Sequence, residues 1–272
     1  MAGSRRSREF DLAYDVDGEG PAIVFLHEGI ADRRMWQPQV EAFVGGGYRV
    51  VRYDLRGFGD SELHRGAFST IGDLHDLLDH LGIDRASLVG ASYGGRVALE
   101  FALEHPARVD ALVLVGAGLR DLEWSDEIER SFAEEERLVE AEDLEGAVEL
   151  NLRTWVDGPS RQPDEVDSDV RRRVGEMQRR AFDVQLAVPD AGPDAPFEPP
   201  ASTRLADVRC PTLVVVGELD QPEILRTAGQ LADGIPGARR AVIPETAHVP
   251  NMEKPDQFNA LVLEFLARHH PA

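Results

Sequence analysis

The chain has 272 residues, 42% of them hydrophobic, which is enough to bury the core of a globular protein of one large or two small domains. Its formal net charge of −21 argues against binding nucleic acid or an anionic membrane, because phosphate surfaces would repel it. No apolar run approaches the roughly 18 residues of a membrane span, and no apolar signal region follows residues 1–8. We therefore expect a cytoplasmic protein that acts on a small neutral molecule, with a homo-oligomer compatible with the sequence.

The first part of the chain alternates strand and helix patterns. Residues 10–16 and 22–26 are predicted to form a hairpin that leads into a buried strand. Further predicted elements are a helix over 37–44, a strand over 48–53, a helix over 69–81 capped by Gly82, a strand over 86–89, a helix over 95–105 and a strand over 109–115. Repeated βα units predict a parallel sheet.

The middle of the chain differs in character. Residues 119–205 are rich in charge, have helical patterns at 128–140 and 170–186, and contain no convincing strand. Residues 189–200 hold five prolines and are predicted to form an extended connector. The sheet pattern resumes with strands over 212–216 and 240–243 and helices over 222–232 and 255–268. We therefore divide the chain into a first core part (1–118), a helical insertion (119–205) and a second core part (206–272).

The single cysteine, Cys210, lies just before the predicted buried strand over 212–216. It cannot form an internal disulfide, and we expect it to be a small buried side chain. The sequence has no Cys/His spacing typical of a metal site, so we expect no metal ligands.

A short glycine-rich motif, Gly90-Ala91-Ser92-Tyr93-Gly94, lies between a predicted strand and a predicted helix. In that context the pattern is typical of a nucleophile elbow, a sharp turn that exposes a serine hydroxyl. Ser92 is therefore the candidate nucleophile.

A serine hydroxyl needs a base, and the base needs an acid that orients it. Asp220 follows a predicted buried strand at the sheet edge where open α/β folds build their sites, and His248 lies in the loop before the last helix. Glu218 is the competing acid, and a helix N-cap is the alternative role for Asp220. His27 is the only histidine that rivals His248.

The segment His27-Glu28-Gly29-Ile30 follows the buried strand over 22–26. An oxyanion formed at Ser92 needs backbone N–H donors from this loop and from the residue after the nucleophile. We expect Gly29 and Tyr93 to supply them, with Glu28 as the alternative to Gly29.

Together these motifs, with residues 54–61 (Asp-Leu-Arg-Gly-Phe-Gly-Asp-Ser) and Trp36, resemble the α/β-hydrolase superfamily over residues 9–269. The resemblance implies a mostly parallel eight-stranded sheet flanked by helices, with 119–205 as a helical cap. It also implies Ser92 as nucleophile, His248 as base and Asp220 as acid, with residues 54–61 bracing the sheet edge and no cofactor. Glu28 departs from the family, which usually has a small residue there.

The motif set most resembles small serine carboxylesterases and enol-lactone hydrolases, so we expect cleavage of a small ester or lactone through an acyl-enzyme. Carbon–carbon bond hydrolases and cofactor-free perhydrolases have similar motifs, and a hydrolase-fold sensor of a small molecule is a further alternative. We expect the insertion to form much of the substrate pocket. The candidate pocket residues are His27, Trp124, Phe132, Trp155, Met177, Phe182, Phe197 and Val249. Arginines at 171–173 and 179–180 are expected to be a solvated helix face.

Overall fold

The structure, a computed structural model, describes residues 11–269. The strands within that range are β1 (Tyr14–Asp17), β2 (Ala22–Leu26), β3 (Arg49–Tyr53), β4 (Gly66–Phe68), β5 (Ala86–Ala91), β6 (Val109–Val115), β7 (Ala191–Asp194), β8 (Thr212–Gly217) and β9 (Arg239–Ile243). The helices are α1 (Gln37–Gly45), α2 (Thr70–His80), α3 (Tyr93–Glu104), α4 (Asp126–Glu140), α5 (Leu144–Asn151), α6 (Ser168–Leu186), α7 (Pro222–Gly234), α8 (Pro250–Glu253) and α9 (Pro255–His269). The α/β pattern predicted from the sequence is confirmed.

One main sheet runs through the molecule in the order β1-β3-β2-β5-β6-β8-β9. All neighbours are parallel except β1, which is antiparallel to β3. Alternate residues of each central strand enter two separate apolar clusters, as the two-residue period of a strand requires. One cluster packs under α2, α3 and α7, and the other packs under α1 and α9. Helices on both faces explain why the strands are continuous apolar runs.

The start of the sheet differs from the prediction. The sheet has seven strands within residues 11–269 where eight were expected, and Phe10 lies outside the described residues. The predicted hairpin is wrong, because β1 pairs with β3 rather than with β2. Gly20 explains this register: a Cβ there would lie 2.2 Å from the carbonyl oxygen of Gly47, so the turn after β1 passes against the chain just before β3.

Helices α4, α5 and α6 lie between β6 and β8 in the chain, as the helical pattern predicts. The expectation that this region contains no strand is wrong, because β7 pairs in parallel with β4. The pairing is anchored by Asp194, whose carboxylate accepts hydrogen bonds from the backbone N–H and hydroxyl of Thr70 and contacts Arg96 and Arg120. The division of the chain at 118 and 205 stays a prediction.

Cys210 is buried, as predicted, and burial raises the pKa of its thiol to about 11. Within residues 11–269, no helix is both long enough and apolar enough to cross a membrane.

Candidate active site

Ser92 occupies the turn between β5 and α3. Its backbone has φ 46° and ψ −107°, a left-handed conformation that is rare for a residue with a side chain. Its N–H donates to the carbonyl of Val115 on the neighbouring strand at 2.8 Å, which holds the strained turn in place. The side chain is only partly buried and lines a pocket, so the hydroxyl is available to a ligand.

The turn is tight because backbone packs directly on backbone around it. A Cβ on Gly94 would lie 2.5 Å from the carbonyl oxygens of both Leu26 and His27. The Gly94 N–H donates to the carbonyl of His27 at 3.0 Å. Glycine at this position therefore lets α3 start against the end of β2, which places the turn beside the loop that follows His27.

Asp220 and His248 meet above the carboxyl ends of β8 and β9. The Nδ1 atom of His248 lies 3.0 and 2.9 Å from the two carboxylate oxygens of Asp220, and both side chains are buried. Since a carboxylate only accepts hydrogen bonds, Nδ1 is the donor, and Nε2 carries the lone pair when the ring is neutral.

The alternatives for the acid have different contacts. Gln221, not Asp220, occupies the N-cap position of α7, and the Asp220 carboxylate accepts from the Gln221 N–H at 2.7 Å. Glu218 instead accepts from the backbone N–H of Glu245 at 3.0 Å, in the turn after β9. Of the two acidic residues, only Asp220 hydrogen-bonds to His248 within the described part of the chain.

A π-helical turn over Leu152–Asp157 lies against both loops. The carbonyl of Trp155 accepts a hydrogen bond from the backbone N–H of His248 at 3.3 Å, and the carbonyl of Thr154 accepts one from the side-chain amide of Gln221. The indole of Trp155 packs on the imidazole, with ring centroids 4.9 Å apart. This turn therefore covers the Asp220–His248 pair and fixes the loops that carry it.

Glu28 lies on the other side of the imidazole. One of its carboxylate oxygens is 3.9 Å from Nε2 of His248, and the residue is 1% exposed. Neither carboxylate oxygen has a hydrogen-bond partner among the described residues. Burial raises the pKa of Glu28 to about 7, with the positive charge of His248 opposing the rise.

The pKa of His248 reflects both carboxyl groups. Burial alone would lower the pKa of the imidazole, but the charges of Asp220 and Glu28 outweigh burial and raise it to about 9. The imidazole is therefore held between an acid that it bonds and a second acid that it only approaches.

His27 braces the loop that carries Glu28. Its Nδ1 donates to the Glu28 carbonyl at 2.7 Å, and its Nε2 accepts from the Leu55 N–H at 2.9 Å. Both ring nitrogens are therefore occupied in the neutral form, and burial lowers the pKa of His27 to about 4. These contacts give His27 a structural role rather than that of a base.

The two residues expected to stabilise an oxyanion lie close together. A Cβ on Gly29 would be 4.0 Å from the Cβ of Tyr93, and both residues line the pocket with Ser92. Tyr93 is the first residue of α3, where backbone N–H groups lack intrahelical acceptors and the helix dipole is positive. This corner of the pocket is therefore suited to a developing negative charge.

The segment 54–61 has its own polar network. The buried Asp54 pairs with Arg33 and accepts from the Arg33 and Asp60 N–H groups at 2.8 Å each, while the Ser61 hydroxyl donates to the Asp54 carbonyl at 2.7 Å. These bonds hold the turn after β3 against the loop after β2. Phe58 from this turn packs edge-on against His27.

The pocket around Ser92 has a volume of about 250 Å³. Its lining combines the loop after β2, the elbow, the loop of His248 and side chains from α4 to α6. The members are Glu28, Gly29, Ile30, Phe58, Ser92, Tyr93, Phe132, Glu135, Asn151, Trp155, Gln178, Phe182, Gln185 and His248. Aromatic rings form most of its apolar wall, and this lining contains no lysine or arginine.

The candidate pocket residues fall into two groups. Trp155, Phe132 and Phe182 line the pocket. His27, Trp124, Met177, Phe197 and Val249 are not among its lining residues, and each has another packing role or environment. Trp124 packs against Phe132 and Trp155, and Phe197 lies beneath the guanidinium of Arg204. Met177 and Val249 are buried in the apolar cluster beneath α1 and α9.

Sequence reasoning missed four polar residues of the pocket: Glu135, Asn151, Gln178 and Gln185. Glu135 shows the signal that could have found it. It follows Ile128 and Phe132 at seven and three positions and precedes Val139 by four, so it lies on the apolar stripe of α4. Asn151 donates to one Glu135 oxygen at 3.0 Å, and burial raises the pKa of this carboxyl.

A second recess, between α5 and α6, lies away from Ser92 and includes Arg171, Arg172 and Arg179. Arg171 pairs with Glu149 and Asp157, Arg172 with Asp169 and Glu176, and Arg179 with Glu145 and Asp183. The expectation of a solvated helix face is confirmed for Arg172 and Arg179, whereas the Arg171 side chain is only 16% exposed and is held by its ion pairs.

A family model described as the alpha/beta hydrolase fold matches residues 21–255. The chain belongs to this family. A Variovorax paradoxus relative whose name assigns it provisionally to carbamate hydrolysis is 32% identical over 94% of this chain and 96% of its own length. A 2-hydroxy-6-oxo-6-phenylhexa-2,4-dienoate hydrolase of Comamonas testosteroni is 29% identical over 95% and 92%.

Solved structures agree with this assignment. The enol-lactonase of Burkholderia xenovorans superposes with a TM-score of 0.75 at 26% identity, covering 94% of this chain and 96% of its own. These similar α/β hydrolases are named for different substrates. The chain is a hydrolase of this family.

Proposed function

We propose that the chain is a serine hydrolase that cleaves a small carboxylic ester or lactone through an acyl-enzyme on Ser92. The observation that carries the proposal is that His248, hydrogen-bonded to Asp220, lines the same pocket as Ser92 in its strained turn. Ser92, Asp220 and His248 follow one another in the chain order serine, acid, histidine, which fits the α/β-hydrolase arrangement.

The proposed reaction begins when neutral His248 takes the proton of the Ser92 hydroxyl as its oxygen attacks the carbonyl carbon. Asp220 keeps Nδ1 protonated and stabilises the imidazolium that forms. The N–H groups of Tyr93 and Gly29 hold the oxyanion, with the Glu28 N–H as the alternative to Gly29. His248 then protonates the leaving alcohol and activates the water that releases the acid.

Replacing Ser92 by Ala tests the proposal. We expect turnover of an activated ester to fall by about 10³-fold or more, since the nucleophile is lost while the fold remains. Covalent labelling by a fluorophosphonate should occur in the wild-type chain and disappear in Ser92→Ala. Equal turnover in the two proteins would refute the proposal, and unlabelled wild-type protein with intact ligand binding would favour the sensor alternative.

Carbon–carbon bond cleavage is the second candidate, and the name of the Comamonas testosteroni relative favours it. The pocket lining opposes it: a dienoate substrate carries a carboxylate, whereas the lining contains two carboxyl groups and no lysine or arginine. We therefore expect ester cleavage to exceed cleavage of vinylogous diketone acids. A substrate panel with the reverse order would change the assignment.

A further inference from the structure

The pocket contains buried side-chain oxygens that have no hydrogen-bond partner among residues 11–269. They are both carboxylate oxygens of Glu28 and the side-chain oxygen of Gln178, which is 4% exposed. Both residues face the pocket that contains Ser92. Buried polar groups in native structures nearly always have partners, so acceptors of this kind point to a ligand that donates hydrogen bonds.

The charges of the lining residues restrict the chemical class of the ligand. Glu28 and Glu135 both border the pocket, and no lysine or arginine does. His248 is the only basic residue in the lining, and it must be neutral when it acts as a base. In that state Glu28 has no positive neighbour in the pocket, and a buried carboxylate without one is costly.

A metal ion does not fit this set of donors. Among the described residues, no group of three or more His, Cys, Asp or Glu side chains is arranged to hold one. An organic cation fits better, because the rings of Phe58, Phe132, Trp155 and Phe182 supply π faces beside the carboxyl groups. The net charge of −21 would also attract such a molecule from solution.

We propose that the pocket selects small esters and lactones whose acyl part carries a protonated amine, bound by the Glu28 carboxylate with Glu135 as a second negative charge. This assignment rests on the ester or lactone hydrolysis proposed above. It replaces the neutral substrate expected from the sequence.

The position of Glu28 gives this binding a catalytic consequence. Its carboxylate oxygen, 3.9 Å from Nε2, holds the imidazole of His248 in its protonated form. A bound ammonium group takes over as the counter-charge of Glu28. The pKa of His248 then falls, and the base becomes available at neutral pH. The amine therefore raises kcat as well as lowering KM.

Matched substrates test the proposal without changing the protein. Ethyl 3-aminopropanoate and ethyl butanoate have nearly the same shape, with an ammonium group in place of a methyl group. We expect the amino ester to have at least about a tenfold higher kcat/KM near neutral pH, measured as acid release. Ser92-dependent cleavage of both esters without this preference would overturn the inference and leave the proposed function standing.

Variants locate the preference. Glu28→Gln should bring the ratio of the two kcat/KM values close to one, and Glu135→Gln should reduce it. Glu129→Gln, an exposed site on α4 with the same change of charge, should preserve it. A preference that survives in both Glu28→Gln and Glu135→Gln would place the amine elsewhere and contradict the proposal.

A binding measurement separates the two proposals. Calorimetric titration of Ser92→Ala with each ester reports affinity without turnover. Tighter binding of the amino ester with no hydrolysis of either ester by the wild-type chain would support the amine site and refute the proposed function. Equal or weaker binding of the amino ester would overturn the amine site.

Discussion

A buried carboxylate lies on each side of the His248 imidazole, and the two differ in their hydrogen bonding. On the Nδ1 side, the Asp220 carboxylate bonds to the imidazole and to the Gln221 N–H. On the Nε2 side, the Glu28 carboxylate is just as buried and has no hydrogen-bond partner among the described residues. A carboxylate with hydrogen-bond partners orients its neighbour. A buried carboxylate without them has a free-energy cost, which binding of a ligand or a proton can remove. The hydrogen-bond partners of Asp220 and Glu28, rather than their burial, therefore distinguish the roles of the two carboxylates.

Asp220→Asn should give the largest effect on this comparison. An amide in place of the carboxylate can stabilise the wrong tautomer of His248 and cannot stabilise the imidazolium, so we expect kcat on an activated ester to fall about 10³–10⁴-fold. Circular dichroism should show an unchanged fold. A loss below tenfold would mean that the acid acts from another residue, with Glu218→Gln as the matched control.

Glu28→Gln should stabilise the protein at alkaline pH. The pKa of Glu28 is raised to about 7 from an ordinary value of 4.5, so the folded state binds the proton more tightly than the unfolded state. The stability of the wild-type chain is therefore lost as pH rises from about 4.5 through 7, and the variant lacks this loss. We expect its free energy of unfolding in urea to exceed that of the wild type by about 1–3 kcal/mol above neutral pH. Below the ordinary pKa the difference should vanish, and an equal difference at both pH values would contradict the assignment.

The same variant should shift the pH profile for a neutral ester. Glu28 contributes to a His248 pKa of about 9, and the neutral imidazole is the base in the proposed mechanism. Removing that charge lowers the pKa, so the acidic limb of kcat/KM should move to lower pH, with a severalfold gain near neutral pH. Glu129→Gln should leave the limb in place. A limb that stays fixed or moves upward in Glu28→Gln would mean that the two groups do not interact.

An element of the fold could be predicted when the pattern that specifies it lies within its own sequence, and was missed when distant residues specify it. Continuous apolar runs predicted β2, β5, β6 and β8 closely, because burial on both faces leaves its mark on each strand alone. The pairing of β4 with β7 was missed, since Ala191–Asp194 has no strand composition and is held by the distant residues Thr70, Arg96 and Arg120.

The candidate site divides in the same way. The motifs around Ser92, Asp220 and His248 identify candidates because turn chemistry is local, and the departure at Glu28 is visible in the sequence. Whether that carboxyl has a partner depends on side chains that are distant in the sequence, such as His248 and Asp220, and no local pattern encodes their approach. For the same reason the sequence could not separate Trp155, which lines the pocket, from Trp124, which packs behind it.

The π-helical turn over Leu152–Asp157 has a consequence for access. Because its carbonyls accept hydrogen bonds from His248 and Gln221, lifting this turn would pull on His248 and on the residue next to Asp220. A wide hinge motion of α4 to α6 would therefore disrupt the arrangement of His248 and Asp220 while exposing it. Phe132 lines the pocket and is 38% exposed, so the pocket reaches the surface at a residue outside this turn. Entry and exit at Phe132 would therefore leave the contacts of this turn with His248 and Gln221 intact.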